Sequence, residues 1–131
     1  MRDVMMEIYY ALTDDPVINQ MAGGRIKFYD YPATGDVTGP YIVIDPLSPP
    51  LPAEHGDGEV LTEDYMYQID VWTKSRLQTK ELAKRIQNVM RAKGFGAYGG
   101  AADEYDRETG IYRDARRYRG QEYTEEVEAF M

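Results

Sequence analysis

LTEDYMYQIDVWTKSRLQTKELAKRIQNVMRAKG, residues 61–94, changes its hydrophobic period halfway along, and that change decides the fold class. Over 61–73 the period is two. Tyr65, Tyr67, Ile69 and Val71 fall on one side, Met66, Gln68, Asp70 and Trp72 on the other. The first set is the core face of a long strand. After Ser75 the period becomes helical, with Leu82, Ala83, Ile86, Val89 and Met90 in one stripe and Lys80, Lys84, Arg85, Gln87 and Arg91 opposite. Ser75 with Gln78 supplies a capping box and Gly94 a stop, so the spacing predicts a helix over 76–92. Its stripe is expected to lie on Ile69 and Val71.

Upstream, residues 2–12 place Val4, Met5, Ile8, Tyr9 and Leu12 on one helical face. Asp15 followed by Pro16 reads as an N-cap and first turn, opening a short helical segment that Gly23 and Gly24 end. RIKFYD (25–30) and PYIVID (40–45) read as strands. Residues 46–58, PLSPPLPAEHGDG, carry four of the seven prolines and read as a long extended loop projecting from the domain. Downstream, the glycine-rich 94–110 reads as loop with a short strand near Phe95–Tyr98, and IYRDARRYR (111–119) as the last strand. These pieces predict an α+β fold, a small mainly antiparallel sheet of about four strands packed against two helices. Residues 1–120 form the domain. Residues 121–131 form an acidic C-terminal arm whose Tyr123, Val127 and Phe130 share one helical face, expected to be mobile alone and to dock on a neighbour.

A chain of 131 residues and 15.0 kDa makes one domain with a sizeable core. The absence of cysteine excludes disulfides, thiolate zinc sites and cysteine nucleophiles, and a single histidine, His55, excludes a multi-histidine metal cage. No apolar run approaches the ~18 residues of a membrane span. The acids within MRDVMMEIYY do not suit a secretory signal, so the expected site of synthesis and assembly is the cytoplasm. Charge is uneven: residues 1–60 hold three Lys/Arg against ten Asp/Glu, residues 61–131 twelve against thirteen. So acidic a chain is not a nucleic-acid binder by default, because phosphate binding needs a basic face, although a like-charged surface lets DNA pass without sticking; composition does not choose between the two.

Candidate chemistry is thin. EHGDGE (54–59) gathers one imidazole and three carboxylates, but in no calcium-loop spacing, and a solvated loop tip is the favoured reading. GFGAYGG (94–100) lacks the placement of a dinucleotide or phosphate loop. Ser48 or Ser75 with His55 makes no convincing nucleophile and base. The expectation is a protein that is not an enzyme and needs no metal or cofactor. Arg113, Arg116, Arg117 and Arg119, interleaved with Tyr112 and Tyr118, form the one basic cluster. Pairing with nearby acids or another subunit is favoured over nucleic-acid contact. Twelve tyrosines against three phenylalanines suit interfaces, where a ring is buried and its hydroxyl stays wet. The candidate contacts are Pro49, Pro50, Leu51 and His55 of the extended loop, those four arginines, and Tyr123, Val127 and Phe130 of the arm.

The order of pieces resembles the tail-completion or tail-terminator (head-tail joining) family of long-tailed bacteriophages and prophages. The likeness is carried by GGRIKFYDYP (23–32), GPYIVID (39–45), YQIDVWTKS (67–75) and DEYDRETGIYRDARRYRG (103–120), and spans roughly residues 1–120. It implies a structural virion protein that forms a homo-oligomeric ring, commonly a hexamer, at the head-proximal end of a long non-contractile tail, some such ring proteins staying monomeric until assembly. Its implied partners are the tail tube protein and a head-side connector or stopper, with DNA passing through the ring. A different class of reading is a small non-enzymatic phage module that binds a protein partner.

Overall fold

The structure, a computed structural model, describes residues 2–56 and 59–123. Three helices, α1 (Val4–Asp14), α2 (Pro16–Ala22) and α3 (Arg76–Ala92), cover one face of a six-stranded sheet: β1 (Ile26–Phe28), β2 (Tyr41–Pro46), β3 (Leu51–Gly56), β4 (Glu59–Thr73), β5 (Gly96–Asp106) and β6 (Ile111–Tyr123). The order is β1-β2-β4-β6-β5, with β3 also paired to β4. Only β1 and β2 run parallel; the other pairs are antiparallel. The class is α+β as expected. Three helices rather than two cover the sheet, which is larger than the four strands expected and, apart from the β1–β2 pair, antiparallel as expected.

The Asp15 and Ser75 caps are those the sequence spelled, and the structure adds Asp3 at the start of α1. Asp3, Asp15 and Ser75 accept the N–H groups of Met6, Val17 with Ile18, and Gln78 respectively, at 3.0–3.2 Å. At the other end of α3, Gly94 takes φ +96°, and the Phe95 and Gly94 N–H groups donate to the Met90 and Arg91 carbonyls. That left-handed stop drops Phe95 into the core beside Met90. The α3 stripe of Leu82, Ile86 and Met90 lies with Ile69 and Val71 of β4, Val89 at its margin. Ile8 and Leu12 of α1 and Ile18 of α2 complete the core.

Two expectations are corrected. Residues 46–58 are not a free loop throughout, because Leu51–Gly56 forms β3 and pairs with Asp64–Glu59 of β4. Pro46 opposes Tyr67 and Leu51 opposes Asp64, so residues 47–50 stand against only two residues of β4. The prolines make this bulge and then an edge strand, where a missing N–H is tolerated on the solvent side. Residues 57 and 58 of the EHGDGE stretch lie outside the described residues. Likewise, 94–110 is not mainly loop. Gly96–Asp106 forms β5, with register shifts at Ala97/Gly99 and Gly100/Ala102. Its poor intrinsic propensity is overridden by the long partner β6. That strand continues through Gln121, Glu122 and Tyr123, opposite Asp64, Glu63 and Thr62.

Candidate functional site

Helices occupy one face of the sheet; on the other, helix-free face Val43, Asp70 and Ala115 are buried at the centre, Tyr41 is 8% exposed and Trp72 is half-buried. Antiparallel register puts Tyr41 of β2 and Arg113 of β6 on either side of Trp72, and Val43 and Ala115 on either side of Asp70. The Tyr41 ring stacks on Trp72, centroids 5.0 Å apart and planes 12° from parallel, and Tyr31 leans on Tyr41 at 4.4 Å. Arg113 lies over the Trp72 ring at 5.8 Å. The result is a continuous aromatic ridge.

The loop that carries Tyr31 is tied down. The Tyr31 hydroxyl donates to the Asp36 carbonyl. Arg25 donates to the Pro40 and Met21 carbonyls at 2.8 and 2.7 Å. At the start of this loop Tyr29 takes φ +69°, and the Asp30 N–H donates to the Phe28 carbonyl at 2.9 Å, closing a γ-turn of the strained, positive-φ kind. Its side chain is 64% exposed. A bulky residue held in that conformation with its ring in solvent gains little for the core.

A cleft of about 630 Å³ flanks the ridge on the side of the β5–β6 turn, and one of about 470 Å³ on the side of the 29–37 loop. Together they are lined by six carboxylates (Asp30, Asp45, Asp70, Glu104, Asp106 and Glu108) and two guanidiniums (Arg107 and Arg113). Arg113 neutralises Asp70 through contacts of 2.7 and 3.0 Å. Among the described residues, the Asp30 and Asp45 carboxylates have no hydrogen-bond or ion-pair partner. Burial, then the Asp70 and Asp30 charges, hold the Asp45 carboxyl above the usual range. This arrangement suits an apolar and cationic ligand surface.

The arginines singled out in the sequence do not form one patch, because neighbouring strand positions face opposite ways. Arg113, Arg117 and Arg119 lie on the helix-free face, with Asp70, Gln68 and Asp64 respectively. Arg116 points under α3, to Asp114 at 2.9 Å and Gln87 at 2.7 Å. Pro49 and Pro50 are exposed and, with Pro46 and Leu47, wall a third cleft of about 840 Å³ against the start of α1. Leu51 and His55 are exposed on β3. Tyr123 is half-exposed, and its carbonyl accepts from Arg2 at 3.2 Å. Val127 and Phe130 lie outside the described residues.

The ridge and its acids were not among the residues the sequence picked out. Trp72 and Asp70 were recognised as lying off the core face, but Tyr31 and Tyr41 join them only through register and loop closure.

Among known proteins, a family model described as Tail completion protein gp17 matches residues 6–120. No curated protein matches the chain. Among the described residues no helix is long and apolar enough to cross a membrane.

Proposed function

The chain belongs to the tail completion protein gp17 family of bacteriophage proteins, and from that membership we propose that it is a structural, non-enzymatic subunit of the virion neck. In this reading several copies, commonly six in such assemblies, form a ring at the head-proximal end of a long non-contractile tail. The ring stops growth of the tail tube and joins it to a head-side connector or stopper. The protein works at the head-tail interface and assembles in the host cytoplasm.

The family match over most of the chain is the observation that carries this. Several features support it. A helix-covered back and a helix-free front with acidic clefts beside the aromatic ridge give the subunit two distinct surfaces, as a head-to-tail ring requires. The β3–β4 hairpin and the Pro46–Pro50 bulge present Pro49, Pro50 and Leu51 to a partner on a backbone that prolines already restrict, which lowers the entropy lost on docking. A net charge of −8 lets DNA pass without adhering.

The test is a phage lacking this gene. Heads and tails should accumulate unjoined, with tails of irregular length, and complementation should restore joined tails of uniform length. Infectious particles with normal tails in the deletion would overturn the reading. A stably folded Pro49→Ser, Pro50→Ser, Leu51→Ser variant should fail to complement.

A further inference from the structure

The outer side of α3 carries a stripe that the fold leaves unused. Leu77, Lys84 and Arg91 recur every seven residues, so they lie on one side of the helix, opposite the buried Leu82, Ile86 and Met90. Leu77 is 64% exposed, high for a leucine on a helix that already has a complete apolar face. Among the described residues, Lys84 and Arg91 have no ion-pair partner. The helix as a whole holds five Lys/Arg and one Asp/Glu.

On the opposite side of the molecule the proportions reverse. The clefts beside the Tyr41–Trp72 ridge are acidic, and two of their carboxylates, Asp30 and Asp45, are unpaired in the single chain. An exposed apolar anchor flanked by free cations on one surface meets an aromatic trough flanked by free anions on the other. Each would be satisfied by a second copy of the same chain.

We propose that the outer stripe of α3 in one subunit docks on the helix-free sheet face of the next, with Leu77 in the clefts beside the half-buried Trp72 and Lys84 and Arg91 toward the carboxylates that line them. The two patches lie on opposite layers of the subunit, so the contact is heterologous. It propagates copy after copy until a ring closes. This deepens the ring reading above and rests on it. Complementary charge sets register and speeds encounter, while the apolar anchor supplies most of the holding energy.

The experiment is sedimentation of the full chain at millimolar concentration and low ionic strength. Wild type should self-associate and dissociate as salt is raised. K84E/R91E should associate more weakly by on the order of tenfold or more, with its thermal unfolding unchanged. L77D should do the same at any salt. Adding D30K to K84E/R91E should restore part of the lost association, a rescue that mere damage to α3 would not allow. A wild type that stays monomeric under these conditions overturns the contact, and so does K84E/R91E that assembles like wild type. Neither result touches the tail-end role, which is judged separately by tail length in the deletion phage.

Discussion

Gly120 of β6 lies beneath the ring of Phe95: a Cβ built on it would stand 2.7 Å from Phe95 Cδ1 and 2.8 Å from Cγ. The ring occupies the space that a side chain opposite Tyr65 would have filled, and both it and Gly120 are buried. The residue that follows the α3 stop is thereby locked onto the central strand pair, and the sheet tolerates a glycine in a long strand.

Gly120→Ala is therefore expected to destabilise by about 1–3 kcal/mol, since the ring must move within a closed core. Phe95→Leu combined with Gly120→Ala should cost less than the sum of the single changes. Urea unfolding of the four proteins measures this. Additivity would mean that the two side chains do not compete for the same space.

Ile86 is 1% exposed between α3 and β4. Ile86→Ala should cost about 2–5 kcal/mol in the same assay. A loss below roughly 0.5 kcal/mol, the size of a surface substitution, would show that this side of α3 faces solvent.

Glu7 binds Arg2 at 2.8 Å and Lys93 at 3.1 Å. The hydrogen bond from Arg2 is the main cause that brings its carboxyl down to about 2, with partial burial opposing and Lys93 assisting. A carboxyl depressed on folding contributes stability in full above its unfolded value of 4.5, and loses it as pH falls toward 2. The stability gap between wild type and Glu7→Gln should therefore be widest near neutrality and close over that acid range. A gap independent of pH would contradict this assignment.

Tyr29 pays for its positive φ with backbone strain of about 1 kcal/mol or more and buries little of its ring. Tyr29→Gly should melt at or above the wild-type temperature, whereas Tyr29→Val should melt lower, because β-branching is worst tolerated there. The turn carries no strain if valine is as stable as tyrosine.

Periodicity exposed β4 and α3 because their signals are local. Alternating Tyr65, Tyr67, Ile69 and Val71 read as a strand, and the Leu82 to Met90 stripe read as a helix without knowledge of any partner. The capping residues Asp15, Ser75 and Gly94 were legible for the same reason. Each acts on backbone groups within a few residues of itself.

Pairing across the chain was not legible. Prolines in 46–52 and glycines in 94–100 argue against strands by propensity, yet β4 and β6 offer long ladders that turn both segments into strands. The same holds for the surface with the most to offer a partner. Its amino acids were plain in the sequence, but what makes Tyr31, Tyr41 and Trp72 one ridge is the register Tyr41↔Trp72 and the closure of the 29–40 loop. The sequence by itself determined the α+β class, the long strand, the helical segments and the family likeness, because short-range periodicity and capping encode them. Only the tertiary structure decided the two extra strands, the division of the arginines between faces and the acidic aromatic trough, because non-local hydrogen bonding sets register, and register decides which side chains meet.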